Sequence, residues 1–154
     1  MFKFRPIAAI VALLIPVLLI GMPAAFSQGA SPKMHRLLLQ VSRDDTEGMN
    51  LTLANAVNAK KLYDSRGEQL QVEIVAYGPG ITMLRNDNSP VKERISETKK
   101  EIPNLVLSMC GNAKAAAEKR EGHEVVPLPG VGVVPAGIVR VMELQEQGWS
   151  YVRP

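Results

Sequence analysis

From about residue 36 onward the chain alternates between short apolar runs and longer amphipathic ones. "RLLLQVS" (36–42) is brief, apolar and polar-ended, as a buried strand would be. Asp44, Asp45 and Thr46 follow, and each can cap a helix start. Met49, Leu53, Ala56 and Val57 then recur at helical spacing to about Tyr63, with Leu51, Ala54 and Leu62 widening that face. After the turn "DSRGEQ", the β-branched run "LQVEIVAY" (70–77) predicts a second strand, halted at Gly78-Pro79-Gly80. "ITMLRNDNS" reads as a loop or a short turn of helix. Ser89 and Pro90 make a cap-plus-proline start for a charged helix, "VKERISETKKE", which packs through Val91 and Ile95. Pro103 breaks it, and "NLVLSMC" (104–110) predicts a third strand. "GNAKAAAEKREG" is Ala-rich helix with Gly122 as its stop. "HEVVPLPGVGVV" is extended and turn-rich. Pro135 opens a predicted helix, "AGIVRVMELQEQ", with Ile138, Val141 and Met142 on one face, and Gly148 ends it. "WSYVRP" predicts a terminal strand with Trp149 and Tyr151 on one side.

Alternating strands and helices with short apolar strands point to a mainly parallel sheet covered on both faces. The expected fold is an α/β, flavodoxin-like three-layer sandwich. Ligands of such sheets collect at the carboxyl ends of the strands. Three loops converge there: "SRDDT", "YGPGI" and "CGNAK".

The first residues follow a different pattern. Lys3 and Arg5 precede an uncharged apolar stretch, Ile7 to Met22, and small residues come next. That is the order of a secretory signal. Ala25 and Ser27 suit a cleavage site, which places the cut after Ser27. No cysteine follows the apolar run, so lipoprotein anchoring is not expected. The alternative is an uncleaved anchor. A spanning helix needs ~20 apolar residues, and Ile7–Phe26 barely reaches that, with Pro16 and Pro23 inside it. The expected organisation is a signal peptide over 1–27, a flexible segment over 28–35 and one domain over 36–154, periplasmic or secreted and without stable membrane insertion after cleavage.

Removing the signal changes the charge. The chain has 18 Lys+Arg against 15 Asp+Glu, and Lys3 and Arg5 leave with the signal. The remainder is nearly neutral, which gives no broad electrostatic case for nucleic acid.

Cys110 is the only cysteine, so an intramolecular disulfide is excluded. An odd thiol in an exported protein is intermolecular, reactive, or buried and inert. Its predicted place is a strand exit leading into a helix, where first-turn amides lack partners and the dipole favours negative charge. A thiolate is the negative form of cysteine, and Gly111 allows a tight turn that leaves the sulfur accessible. The competing reading is a small buried hydrophobe ending a strand. Gly111 and Asn112 at the helix start, and Gly78 and Gly80 in "AYGPGI", are candidate ligand-binding positions, the latter pair as a backbone nest. A plain turn explains Gly-Pro-Gly more simply. "PGVGVVPAG" lacks the order of a phosphate loop. His35 and His123 have no ligand spacing to Cys110 or to carboxylates and read as exposed, so no metal site is expected, nor any cofactor. Asp44 and Asp45 read as caps. Met49, Met109 and Met142 read as core.

Four stretches together resemble the DsrE/DsrF-like sulfur-relay family: "LLLQVS" with its Asn-rich helix, "VEIVAYGPGI", "LVLSMCGNAKAAAEKREG" and "VPAGIVRVMELQEQGWSYVRP". The resemblance spans Arg36 to Pro154, and the closing stretch is similar to an exported subgroup. It implies a three-layer α/β fold, homo-oligomers often built from trimers, and a cysteine that accepts sulfane sulfur as a persulfide and passes it on. Only Cys110 carries over as the active residue. Ala115–Ala117, Lys119–Arg120 and Gly122 take the places of the family's small-residue helix, basic pair and closing glycine. Gly111–Asn112 replaces more apolar residues, and Glu121 intrudes before the glycine. The expectation is an exported sulfur carrier or sulfurtransferase whose partners are a sulfur donor or acceptor protein or a small thiol. The alternative is a non-enzymatic module of the same fold, binding a small molecule or a protein, with a structural cysteine.

Overall fold

The computed structural model describes Met1 and residues 32–154, so the expected signal segment and its cleavage site lie outside the described residues. Five strands make one parallel sheet: β1 (Met34–Val41), β2 (Gln69–Ala76), β3 (Val106–Cys110), β4 (Gly132–Val134) and β5 (Ser150–Val152). Their spatial order is β4-β3-β2-β1-β5, and each adjacent pair is parallel. Parallel pairing requires a crossover between strands. The helices supply it: α1 (Thr46–Ser65), a 3₁₀ helix (Gly78–Leu84) followed by α2 (Lys92–Glu101), α3 (Gly111–Glu121) and α4 (Gly137–Glu146).

Period-two alternation sorts the strand residues onto two unequal faces. Leu39, Val41, Val72, Ile74, Leu107 and Met109 share one core with α1, the 3₁₀ helix, α2 and α3. Met49, Leu53, Ala56 and Val57 are the buried stripe of α1. Among the described residues the opposite face carries α4 alone, where Val141 and Leu144 pack on Leu38 and Val75, flanked by Tyr77 and Trp149. The three-layer sandwich expected from the sequence is therefore present, with one thick outer layer and one thin one. The thin layer follows from the order of strands. Successive crossovers step from β1 out to β4 at one edge, and β5 lies at the other edge, so α4 must cross back over the bare face.

Each central strand turns one buried polar residue toward α4: Gln40, Glu73 and Ser108. Arg140 of α4 grips Glu73 with a two-pronged fork, Nε donating to Oε1 and Nη2 to Oε2, both at 2.8 Å. Ser108 Oγ donates to the same Oε1 at 2.7 Å. Tyr151 donates its hydroxyl proton to Gln40. A buried carboxylate is tolerable only when paired and hydrogen-bonded, and Glu73 has both.

Local signals set the ends of most elements. Asp45 caps α1, its Oδ1 accepting from Gly48 N–H at 3.0 Å. Gly122 ends α3 with φ of 73°, a left-handed conformation open to glycine. Several boundaries differ from the periodicity reading. α2 begins at Lys92 rather than Pro90, which lies in a turn; Ser89 Oγ donates to the Met83 carbonyl and accepts from the Val91 N–H at 3.4 Å, ahead of the first helical residue. α4 begins at Gly137 rather than Pro135, and β3 begins at Val106 rather than Asn104. Ile138 and Met142 are exposed while Leu144 is buried, since α4 buries only the stripe that faces the sheet. Leu51 and Leu62 of α1 are also exposed. His35 is half-buried rather than exposed. Its Nε2 lies 2.7 Å from Glu68 Oε2 and its ring stacks on Tyr63 with centroids 3.9 Å apart.

The Glu73–Arg140 fork has an asymmetric consequence. Glu73 is fully buried, whereas Arg140 reaches water at 30% side-chain exposure. Arg140→Met strands a buried charge and is expected to cost about 3–5 kcal/mol of unfolding free energy. Glu73→Gln is expected to cost less, because the freed guanidinium can turn to solvent. Urea unfolding midpoints of the two variants check the order. Equal midpoints would mean that the pair does not anchor α4.

Candidate functional site

Two helix starts meet at the exit of β3. Cys110 keeps extended backbone (φ −69°, ψ 119°) and is the N-cap residue of α3, with no hydrogen bond from its side chain to the first turn. It is 6% exposed. On its other side α4 begins. A Cβ added to Gly137, the first residue of α4, would lie 3.1 Å from Cys110 Cβ and 2.7 Å from Tyr77 Cβ. Both neighbours are fixed close to the backbone, so only glycine fits without a shift. Gly111 meets the same segment from below: a Cβ there would be 3.1 Å from the Val134 carbonyl oxygen. The two glycines thus let the starts of α3 and α4 come together beside Cys110. Both helix N-termini present a positive dipole end there. Asn112 is exposed, and its backbone N–H donates to the Pro135 carbonyl at 3.2 Å.

The three loops expected to converge do so, on the α3 side of the sheet. Asp44, Gly78 and Ala113, one from each, line an open cavity of about 340 Å³ together with Thr82, Arg85 and Arg120. Gly78 sits at its wall with φ of 53°. Gly80 plays another part. It is buried, and a Cβ on it would be 2.4 Å from the Val41 carbonyl oxygen. Its N–H donates to the Tyr77 carbonyl at 3.1 Å. Gly80 therefore lets the turn press on the end of β1. Cys110 is not among the residues lining this cavity.

Arg85 closes the cavity floor and is 4% exposed. It forks onto Asp87 (3.0 and 2.6 Å) and onto Glu121 (3.0 and 2.7 Å). The hydrogen bonds it donates to Asp87 and then to Glu121 raise its pKa further, so it stays charged. The same bonds pull Asp87 below its ordinary value. Glu121 is lowered to about 2, first by Arg85 and, among its stabilising partners, next by Arg120. Glu121, the residue that intrudes before Gly122, thus ties the end of α3 to the exit of the 3₁₀ helix. No periodicity announces this contact, because Arg85 and Glu121 are 36 positions apart.

His123 lies beyond the far end of α3 from Cys110, about 16 Å along the helix axis at 1.5 Å per residue. It contacts Glu121 at 3.6 Å and offers no base to the sulfur. Among the described residues, no group of three or more His, Cys, Asp or Glu is placed to hold a metal ion. Also among them, no helix is long and apolar enough to cross a membrane.

The sequence profile of the DsrE/DsrF-like family matches residues 36–154, which includes both helix starts and all five strands after the first two residues of β1. The chain belongs to the DsrE/DsrF-like family. Its fold is similar to that of a solved structure, the protein of unknown function MTH1491 from Methanobacterium thermoautotrophicum, with a TM-score of 0.65 at 28% sequence identity. The match covers 78% of this chain and 99% of that one. Among curated proteins there is no match. The DsrE/DsrF-like fold here is the α/β sandwich with a parallel sheet, and the sulfur of Cys110 sits at the carboxyl edge of that sheet.

Glu121 titrates lower in the folded than in the unfolded chain. Its stabilising contribution is complete above its ordinary pKa of 4.5 and is lost as pH falls from there through about 2. Glu121→Gln is therefore expected to flatten the fall in stability across that window while lowering stability at neutral pH. Denaturant midpoints measured from pH 7 to pH 2 check this. An unchanged slope in the variant would break the link.

Proposed function

We propose that this DsrE/DsrF-like protein is an exported carrier or transferase of sulfane sulfur, held as a persulfide on Cys110. The observation that carries the reading is the position of Cys110 as the N-cap residue of α3, with the first residue of α4 packed against its Cβ. The anionic thiolate and the anionic persulfide both gain from such a place. In the forward step the Cys110 thiolate attacks the outer sulfur of a donor, R–S–SH. A Cys110–S–SH bond forms, the donor S–S bond breaks, and the electron pair leaves on RS⁻. Transfer to an acceptor thiolate repeats the exchange in the opposite sense, which returns Cys110 as thiolate. The donor or acceptor is a protein or a small thiol. Export follows the signal pattern of residues 1–27, with periplasmic or secreted location. Self-association belongs to the same proposal, and the exposed apolar row Ile138, Val139 and Met142 on α4 favours it.

One observation favours the second reading, a binding module with a structural cysteine: Cys110 is 6% exposed. Mass spectrometry separates the two. Reduced protein incubated with polysulfide is expected to gain one sulfur atom, and Cys110→Ser to gain none. No adduct on a protein whose Cys110 does react with a small alkylating reagent would decide for the structural cysteine.

A further inference from the structure

The cavity on the thick side of the sheet is walled by short side chains and carries its charges at two ends. α3 turns Ala113, Ala116, Ala117 and Arg120 toward it, positions i, i+3, i+4 and i+7 of one helical face. Three of the four are alanines, where larger apolar residues would close the space against Ile81 of the 3₁₀ helix. The volume of about 340 Å³ lies at the small end of the ~300–1,000 Å³ usual for small-molecule sites.

The charges are sorted by sign. Asp44 stands in the loop after β1, at the carboxyl edge of the sheet. Asp45 caps α1 in its stead, and among the described residues nothing hydrogen-bonds to the Asp44 carboxylate. α3 starts at the same edge and runs away from it. Arg120, seven residues past Ala113, therefore stands about 10 Å further along the helix axis. Its side chain is 70% exposed, and among the described residues only Nη2 is engaged, by Glu121 at 2.7 Å. Arg85 lies between them on the floor, fixed by two carboxylates. Asp87 and Glu121 take four of its five N–H groups and leave one on Nη1.

We propose that this cavity binds a zwitterion of dipeptide size, with its ammonium at Asp44, its carboxylate at Arg120 and its apolar middle on the alanine row. The remaining Arg85 N–H serves the peptide carbonyl between the two ends. Other ligand classes fit less well. The two guanidinium groups and the two carboxylates of the Arg85 cluster cancel, so a simple anion finds no net positive charge there and meets Asp44 as well. A simple amine meets Arg120. A free α-amino acid carries its charges on either side of one carbon and cannot reach both ends. An extended dipeptide spans about 7 Å, and the long Arg120 side chain covers the rest. This site is independent of the sulfur chemistry proposed for Cys110, which does not line the cavity.

The test is an amide NMR titration of the protein with L-alanyl-L-leucine and with its N-acetylated, C-amidated and doubly blocked forms. The free dipeptide is expected to bind one to one and to shift the amides of Ala113–Arg120. Each single block is expected to weaken binding by about three- to five-fold, the loss of one partly exposed ion pair. Arg120→Gln should weaken the free dipeptide by the same factor and leave the amidated form unchanged. Asp44→Asn should do the same for the free dipeptide and spare the acetylated form. Ala116→Leu fills the cavity and is expected to abolish binding. Ala115→Leu, exposed on the same helix but outside the cavity lining, should leave it intact. Both leucines suit a helix, so α3 keeps its fold in either variant. No shifts at millimolar dipeptide would overturn the site. So would a doubly blocked peptide, acetate or methylamine that binds as tightly as the free dipeptide, or two leucine variants that behave alike.

Discussion

A carboxylate in the middle of a parallel sheet governs the thin side of this molecule. Glu73 is buried in β2 and has no route to water, so its charge is met by Arg140 and its second demand by Ser108. A buried ion pair adds little net stability over an apolar contact of the same shape, but breaking it is costly. Its effect here is positional. Among the described residues α4 is the sole helix on its face, and it makes only a small apolar contact through Val141 and Leu144. The fork fixes both its distance from the sheet and its rotation, and so fixes where its first turn falls.

That first turn falls on Cys110. The reversal of chain direction across the sheet, from edge strand β4 to edge strand β5, sends the connection over the end of β3. Glycine at 111 lets the start of α3 approach the Val134 and Pro135 carbonyls, and glycine at 137 lets the start of α4 approach the Cβ atoms of Cys110 and Tyr77. The thick side is arranged otherwise. There, Arg85 joins the 3₁₀ helix to α3 through Glu121, and the cavity at the strand ends lies above that clamp. Cys110 is counted with the core of this thick side, yet it is not among the residues that line the cavity.

Family and chemistry rest on different observations. The match over residues 36–154 and the likeness to MTH1491 carry the fold. MTH1491 is itself described as a protein of unknown function, so it lends no activity. Fold does not set function. The sulfur-carrier reading therefore stands on Cys110 and its surroundings, and the burial of that residue makes access to it the central mechanical question.

What the sequence determined by itself is what local physics can write. Strand and helix periodicity, caps such as Asp45 and stops such as Gly122 depend on residues a few positions apart, so the element order and the parallel sheet were legible. The placing of Cys110 between a strand and a helix was legible for the same reason. Contacts between distant segments were not. Glu73 reads as one polar residue in an apolar run, and only the fold brings Arg140, 67 positions later, against it. His35 reads as exposed until Glu68 and Tyr63 are folded around it. Ile138 and Met142 share a helix with Val141, yet which stripe is buried depends on how α4 is rotated over the sheet. Whether Cys110 meets solvent was likewise decided by tertiary structure, because its burial depends on segments distant in sequence that pack around it.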